Sequence, residues 1–301
     1  LFELADTFRD LRIPADALYL DLDYMDDLDF LSWNPVTFPD PVTNNARLGA
    51  QGFRRVNIVD PIVQPDDRLV PYLSARGFLL EDSAGNPLVN EIFLGPVSWL
   101  DFTDPEFQDW VVGPLETFVR TGVSGIWNDL NEPAQNFMPE ARYDFGGQRR
   151  TDLQARNLFA LAQVPVTEAA LRAARPDERP FILSRSGWPG IQRHAANWSG
   201  DGFSSFEAMR IAVQHSVHMG LSGQDRFGHD VGGFLGAPDA ELYLRWLAFG
   251  SLTPFFRAHS LNTSPPREPW VFGQPWTDVA RTLIERRYRW LPSWYAWFER
   301  T

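Results

Sequence analysis

The feature that most constrains the fold is an alternation along the chain. Short apolar runs that end in polar residues alternate with longer stretches of helical spacing, a pattern typical of parallel βα units. The apolar runs cover residues 17–23, 55–60, 122–129, 180–185, 195–201, 223–230 and 252–259. Helical spacing is found in residues 1–11, 104–121, 153–174, 205–219, 241–250 and 275–298.

Seven βα units predict an α/β protein with a (β/α)₈ barrel of the TIM type. A doubly wound sheet is the alternative, but no GxGxxG sequence opens a helix. Because a closed barrel of this type has eight strands, the pattern leaves open a barrel that lacks its first strand. Residues 64–100 are long and irregular for a βα loop, and we expect them to form an excursion over one barrel face.

The amino-acid composition excludes several kinds of structural and catalytic site. The chain has 301 residues without a single cysteine, and all 27 of its Lys and Arg residues are arginine. Disulfides, zinc–thiolate sites, iron–sulfur clusters and lysine Schiff bases are therefore excluded. The net charge of -12 at pH 7 disfavours nucleic acid and anionic membranes as partners.

No segment of the sequence indicates a membrane span or a signal peptide. A span needs about 18 consecutive apolar residues, and the charged, amphipathic start differs from a secretory leader. We expect a soluble protein, with the cytoplasm favoured over secretion. The sequence leaves the compartment and the oligomeric state open.

Polar residues collect where the apolar runs end. In a barrel these ends meet at the rim on which active sites form. A single acidic residue there could instead cap the following helix, but charged groups after so many strands favour a catalytic rim. The residues are Asp21, Asp23, Asp60, Asp129, Arg185, Asp201, Asp230 and His259.

Without cysteine or lysine, the chemistry available at such a rim is that of carboxylates, and two carboxylates across a pocket can cleave a glycosidic bond. Metal binding has weaker support. Residues 21–29 are rich in aspartate but lack the glycine and spacing of an EF-hand loop. His215 and His218 share a predicted helix without an evident third ligand. We therefore predict no metal and no cofactor.

Four motifs occur in order along the chain. They are GIWNDLNEP (125–133), ILSRSGWPGIQRHAANWSGD (182–201), GHDVGGF (228–234) and RWLAFGSLTPFFRAH (245–259). Together they resemble the signatures of glycoside hydrolase family 31, the α-glucosidase family. The resemblance implies that residues 1–301 are the catalytic barrel of this family, excised from a larger enzyme that also carries β-domains.

The resemblance implies a retaining, exo-acting α-glycosidase, most simply an α-glucosidase that releases terminal non-reducing α-linked glucose. Asp129 resembles the family's nucleophile, and Asp201 resembles its general acid/base. The substrate class implied is an α-glucoside or α-gluco-oligosaccharide. In a retaining enzyme the two carboxyl groups lie about 5–5.5 Å apart. We expect the pKa of Asp201 to exceed that of Asp129.

Further residues match positions that contact the sugar in the family. Carboxylates and imidazoles suit this task because each sugar hydroxyl both donates and accepts a hydrogen bond. Phe93 stands where the family commonly has a tryptophan. The substrate-binding residues implied are Asp21, Ile62, Phe93, Trp127, Arg185, Trp198, Asp230, Phe234, Arg257 and His259.

The motifs leave alternatives within the same family. These are α-xylosidase, α-galactosidase, sulfoquinovosidase and transglycosylase activity, and lyase chemistry would use the same two aspartates. A barrel fragment without catalytic activity is an alternative of another class. The presence of both Asp129 and Asp201 favours an enzyme.

Overall fold

The computed structural model describes residues 1–133 and 137–299. The chain divides into two compact units. The first unit is Asp16–Ala195, and the second unit consists of Leu1–Ala15 and Ala196–Thr301. No helix within the described ranges is both long and apolar enough to cross a membrane.

Strands and helices alternate along most of the chain. The strands are β1 (Ala17–Leu20), β2 (Arg54–Val59), β3 (Ile62–Val63), β4 (Val89–Ile92), β5 (Gly95–Trp99), β6 (Gly125–Asn128), β7 (Arg142–Tyr143), β8 (Arg150–Thr151), β9 (Ile182–Ser184), β10 (Ala196–Trp198), β11 (Phe227–Asp230) and β12 (Phe255–Arg257). The helices are α1 (Phe2–Asp10), α2 (Pro41–Ala50), α3 (Val70–Arg76), α4 (Pro105–Val119), α5 (Asp152–Ala174), α6 (Phe206–Leu221), α7 (Ala240–Gly250) and α8 (Trp276–Phe298).

The seven predicted apolar runs each coincide with one strand to within a few residues, namely β1, β2, β6, β9, β10, β11 or β12. The six predicted helical stretches correspond to α1, α4, α5, α6, α7 and α8. Side chains at the N-termini of two of these helices cap their first turns. Asp104 accepts a hydrogen bond from the Glu106 amide before α4, and Thr151 with Gln154 forms a capping box before α5.

In the first unit, β1, β2, β6 and β9 pair in parallel in that order. Val59 is opposite Asn128, and Asn128 is opposite Ser184. This register brings the residues that follow these strands to one edge. Aromatic side chains of α4 and α5 fill the space behind the sheet, with Phe102 edge-on to both Phe107 and Phe159.

The segment 64–100, predicted as an irregular excursion, has secondary structure of its own. It contains α3, β4 and β5, and β5 pairs antiparallel with β4 and with β3, which lies just before the segment. The strands are short, and β4 alternates exposed with half-buried residues. These strands therefore have no apolar run in the sequence from which they could be predicted.

In the second unit, β10, β11 and β12 pair in parallel. Trp198 is opposite Gly228, and Asp230 is opposite Arg257. The core of this unit is formed by α7 and α8 together with residues near β11 and α1. Its most buried members include Ile13, Val231, Tyr243, Leu247 and Ala280.

Candidate active site

In the first unit, three polar residues directly follow adjacent strands. Asp60 follows β2, Asp129 follows β6 and Arg185 follows β9. The Arg185 Nε lies 3.1 Å from the Asp129 Oδ1, and the two side chains are 16% and 14% exposed. The guanidinium therefore stabilises the negative charge of Asp129 while both groups keep some access to solvent.

Arg185 also binds a second carboxylate, that of Glu132. Its Nε donates to Oε1 at 2.8 Å and its Nη2 donates to Oε2 at 2.9 Å. This two-pronged contact fixes the plane of the guanidinium. The sequence motifs did not assign Glu132 to the site, although it lies three residues after Asp129 within the same motif.

Asp60 is the buried member of this group, with 5% of its surface exposed. Burial raises the pKa of Asp60 well above its usual value, and the nearby charges of Asp129 and Asp21 raise it further. Arg185 opposes this rise. Asp60 is therefore protonated more readily than an ordinary aspartate. The sequence placed Asp60 at a strand end but did not assign it to the sugar site.

The loop that carries Arg185 is fixed to the motif that carries Asp129. The Asn131 Nδ2 donates to the Ser184 Oγ at 2.8 Å, and the Ser186 amide donates to the Asn131 Oδ1 at 2.9 Å. Leu130, next to Asp129, has a left-handed backbone with φ of 52°. Such a conformation costs a non-glycine residue roughly 1 kcal/mol or more, and surrounding contacts must maintain it.

The remaining predicted residues of the first unit differ in exposure. Trp127 is buried and lies edge-on to Tyr19 of β1. The Asp21 carboxylate accepts a hydrogen bond from the Leu22 amide at 2.8 Å and so caps a short 3₁₀ turn. Ile62 is buried beside Asp60 in a small, mostly apolar cavity.

Phe93 is exposed, in contrast to Trp127 and Ile62. It occupies the turn between β4 and β5, and 65% of its surface is exposed. The ring is therefore available to a ligand. The Gln64 side chain donates to the Leu94 carbonyl at 3.1 Å, which ties this turn to the chain after β3.

In the second unit, the strand ends carry a buried ion pair. The Arg257 Nε donates to the Asp230 Oδ1 at 2.9 Å, and Nη2 lies 2.8 Å from the same oxygen. Burial raises the pKa of Asp230 to about 6, although Arg257 opposes the rise. The charge of Asp201 also raises the pKa of Asp230.

Aromatic rings surround this pair. The Arg257 guanidinium lies 5.2 Å from the centre of the buried Trp198 ring. The Phe234 and His259 rings stack at 5.2 Å. Burial, with the charge of Arg257, lowers the pKa of His259 to about 2. Its neutral imidazole can donate one hydrogen bond and accept another.

Asp201 is exposed on the loop that follows β10. The Ser199 amide donates to the Gly228 carbonyl at 3.2 Å at the start of this loop. At its end, the amides of Phe234 and Leu235 donate to the Gly202 carbonyl at 2.8 and 3.0 Å. The loop is thus held at both ends by β11 and the residues after it.

Gly233 is required for this arrangement. Its φ is 84°, and a Cβ added there would lie 2.6 Å from the Ser204 nitrogen and 2.7 Å from the Phe203 carbonyl carbon. Only a residue without a side chain allows the two backbone segments to approach so closely. The glycines of the GHDVGGF motif therefore help to shape the loop that carries Asp201.

The described part of the chain contains no group of three or more His, Asp or Glu side chains placed to hold a metal ion. His215 and His218, which the sequence singled out, lie on α6.

Comparison with known proteins identifies the family. The model of the glycosyl hydrolases family 31 TIM-barrel domain matches residues 1–297. The chain belongs to glycoside hydrolase family 31. The resemblance seen in the sequence motifs and the predicted TIM-barrel fold class are both confirmed by this match.

The relatives are α-glucosidases. Alpha-glucosidase 2 of Bacillus thermoamyloliquefaciens is 33% identical over 98% of this chain and 38% of the relative. Neutral alpha-glucosidase AB of Dictyostelium discoideum is 34% identical over 97% of this chain and 32% of the relative. The chain therefore spans between about a third and two fifths of the length of these curated relatives.

Solved structures agree with this assignment. The family 31 alpha-glucosidase from Bacteroides thetaiotaomicron matches with a TM-score of 0.86 and 36% identity, over 98% of this chain and 49% of that one. A glucosidase II alpha subunit matches with a TM-score of 0.93 and 27% identity, over 99% of this chain and 33% of that one.

Proposed function

We propose that this chain is the catalytic part of a retaining, exo-acting α-glucosidase that hydrolyses terminal non-reducing α-linked glucose. The observation that carries the proposal is the position of Asp129, directly after β6 and in contact with Arg185 at 3.1 Å. The family membership and the α-glucosidase relatives support this choice of reaction and sugar.

In the first step, the Asp129 carboxylate attacks the anomeric carbon and forms a covalent β-glucosyl ester. Asp201 donates its proton to the leaving oxygen, so the aglycone departs as a neutral alcohol. Arg185, oriented by Glu132, stabilises the Asp129 carboxylate before the attack and its negative charge again when the ester is cleaved.

In the second step, water cleaves the ester. Asp201, now ionised, accepts a proton from the water as its oxygen attacks the anomeric carbon, and the bond to Asp129 breaks. Two inversions at one carbon give net retention. Asp230, Arg257 and neutral His259 bind the sugar hydroxyls, since together they provide both donors and acceptors.

The test is hydrolysis of an aryl α-glucoside followed by NMR of the first sugar released. We expect α-glucose before mutarotation, and Asp129 labelled by a mechanism-based cyclitol epoxide, as located by peptide mapping. The exposed helix variant Asp109→Asn is the control and should be labelled as the wild type is.

Two results would overturn the proposal. First release of β-glucose would exclude a retaining mechanism, and a label on another carboxylate would exclude Asp129 as nucleophile. Preferred turnover of aryl α-xyloside or α-galactoside would contradict the choice of glucose while leaving the retaining mechanism in place.

A further inference from the structure

One buried polar group in the second unit takes no part in the reaction described above. His229 lies in β11, next to Asp230, and 2% of its surface is exposed. Its Nδ1 is 2.8 Å from the Ser199 Oγ, and its Nε2 is 2.8 Å from the Ser216 Oγ of α6. The imidazole thus bridges the loop after β10 and a helix.

The protonation of this ring follows from its surroundings. Burial, with a contribution from His215, lowers the pKa of His229 to about 4, so the imidazole is neutral at ordinary pH. A neutral imidazole has one donor nitrogen and one acceptor nitrogen.

Either tautomer of the neutral ring uses both serine hydroxyls, because one accepts from the ring N–H and the other donates to the unprotonated nitrogen. Ser199 is therefore bound to the ring whichever nitrogen carries the proton.

Ser199 lies two residues before Asp201. Because Trp198 is opposite Gly228 in the parallel register, the next residues, Ser199 and His229, lie side by side. The Ser199 amide is bound to the Gly228 carbonyl as well. Backbone and side chain of Ser199 are therefore both held by β11, at the point where the loop towards Asp201 begins.

We propose that His229 is a positioning residue for the general acid/base Asp201, acting through the Ser199 hydroxyl. The inference rests on the proposed function, since it assigns a purpose to the geometry of Asp201. Loss of the contact should let the Asp201 loop move and impair proton donation to the leaving group. Formation of the glucosyl ester from substrates that need no protonation should continue.

Two serine-to-alanine variants separate this role from simple packing. Ser199→Ala and Ser216→Ala each remove one hydroxyl bound at 2.8 Å to the same imidazole. Only Ser199 lies on the Asp201 loop, and in Ser216→Ala the Ser199 hydroxyl still binds the ring. Ser216→Ala is therefore the matched control.

The readout is kcat/KM on two substrates, maltose and dinitrophenyl α-glucoside. For Ser199→Ala we expect a loss of about tenfold on maltose, a part of the roughly 10²–10⁴-fold that general acid catalysis contributes. The loss on the dinitrophenyl substrate should stay within about twofold, because its leaving group needs little protonation. Ser216→Ala should keep the wild-type ratio of the two.

Equal losses on both substrates, or a larger change of the ratio in Ser216→Ala, would overturn the positioning role. If the wild type hydrolyses neither substrate, the proposed function fails, and this inference fails with it. Wild-type turnover combined with an unchanged ratio in Ser199→Ala would overturn this inference alone.

A second measurement does not depend on turnover. Nitrogen NMR of the imidazoles should show a shift of the His229 Nδ1 resonance in Ser199→Ala, because the variant removes the hydroxyl bound to that nitrogen. The exposed His218 of α6 should not respond. An unchanged Nδ1 resonance would show that Ser199 does not bind the ring, and it would overturn the inference.

Discussion

The two units place an arginine beside an aspartate at their strand ends in different ways. In the first unit, Arg185 contacts both Asp129 and Glu132, whose side chains are 14% and 32% exposed. In the second unit, Arg257 is bound to Asp230, and the two side chains are 3% and 2% exposed. Arg185 thus contacts two carboxylates and is partly exposed to solvent, whereas Arg257 is buried together with Asp230.

This difference fits two kinds of task. A partly exposed guanidinium held by Glu132 stabilises the charge of Asp129 at a smaller desolvation cost than a fully buried pair has. A buried pair has a large desolvation cost, which its mutual attraction must offset. Such a pair holds β11 and β12 in register and fixes the groups around it, including Trp198.

The largest expected effect separates the two candidate catalytic residues. Asp129→Ala should reduce turnover of every α-glucoside to background, because it removes the carboxylate that forms the ester. Asp201→Ala should lose about 10²–10⁴-fold on maltose and far less on dinitrophenyl α-glucoside. Steady-state kinetics on both substrates check this. Parallel losses in Asp201→Ala would mean that Asp201 is not the acid.

The second prediction concerns stability. Arg257→Met should lower the free energy of unfolding by about 3–5 kcal/mol, because it leaves the Asp230 carboxyl buried without its partner. Arg185→Met should cost only about 1–2 kcal/mol, since water reaches both of its carboxylates. Urea denaturation measures the free energy of unfolding of both variants. Equal losses in the two variants would contradict the distinction between the units.

The third prediction uses two glycines near the Asp201 loop, both with positive φ. Gly236→Ala, with φ of 90° and its nearest contact 3.7 Å away, should cost about 1 kcal/mol of stability. Gly233→Ala adds a backbone clash and should cost about 1–3 kcal/mol more. It should also impair hydrolysis of maltose, because Phe203 and Ser204 must move. Equal losses of stability and of maltose hydrolysis in the two variants would contradict the proposed role of Gly233 in the loop.

The fourth prediction is a pH dependence of stability. The pKa of Asp230 is about 6 in the folded protein against 3.8 for a free side chain. The folded state therefore binds more protons between these values, so the contribution of Asp230 to stability is present below about pH 4 and is lost as the pH rises to about 6. Asp230→Asn should flatten this fall in unfolding free energy.

Asp101 in the first unit provides the comparison for that measurement. Burial raises the pKa of Asp101 to about 6 as well, so Asp101→Asn should flatten the slope in the same sense. The measurement compares how steeply the unfolding free energy changes with pH in each variant. Absolute stabilities are not compared, because Asp230→Asn also disturbs Arg257. A steeper slope in either variant would show that the direction of the shift is wrong.

Local patterns predicted much of the fold. Each strand of the parallel pairs has an apolar run that ends in a polar residue, and a period-3.6 helix follows most of them. Two helices, α2 and α3, lack a clear pattern of this kind. In α2 the sequence PVTNNARLGA has only Asn45 and Leu48 buried, so its apolar spacing is weak, and α3 has seven residues. Such elements depend on the surfaces against which they pack.

The sequence by itself determined the family, the candidate catalytic pair and the positions of the parallel strands along the chain, because contiguous motifs and local periodicity specify them. Only the tertiary structure decided the partners of the site residues. Glu132 binds Arg185 across 53 positions, and His229 binds Ser199 across 30. Strand register and helix packing bring these groups within hydrogen-bonding distance, and both arise from contacts between residues far apart in the chain.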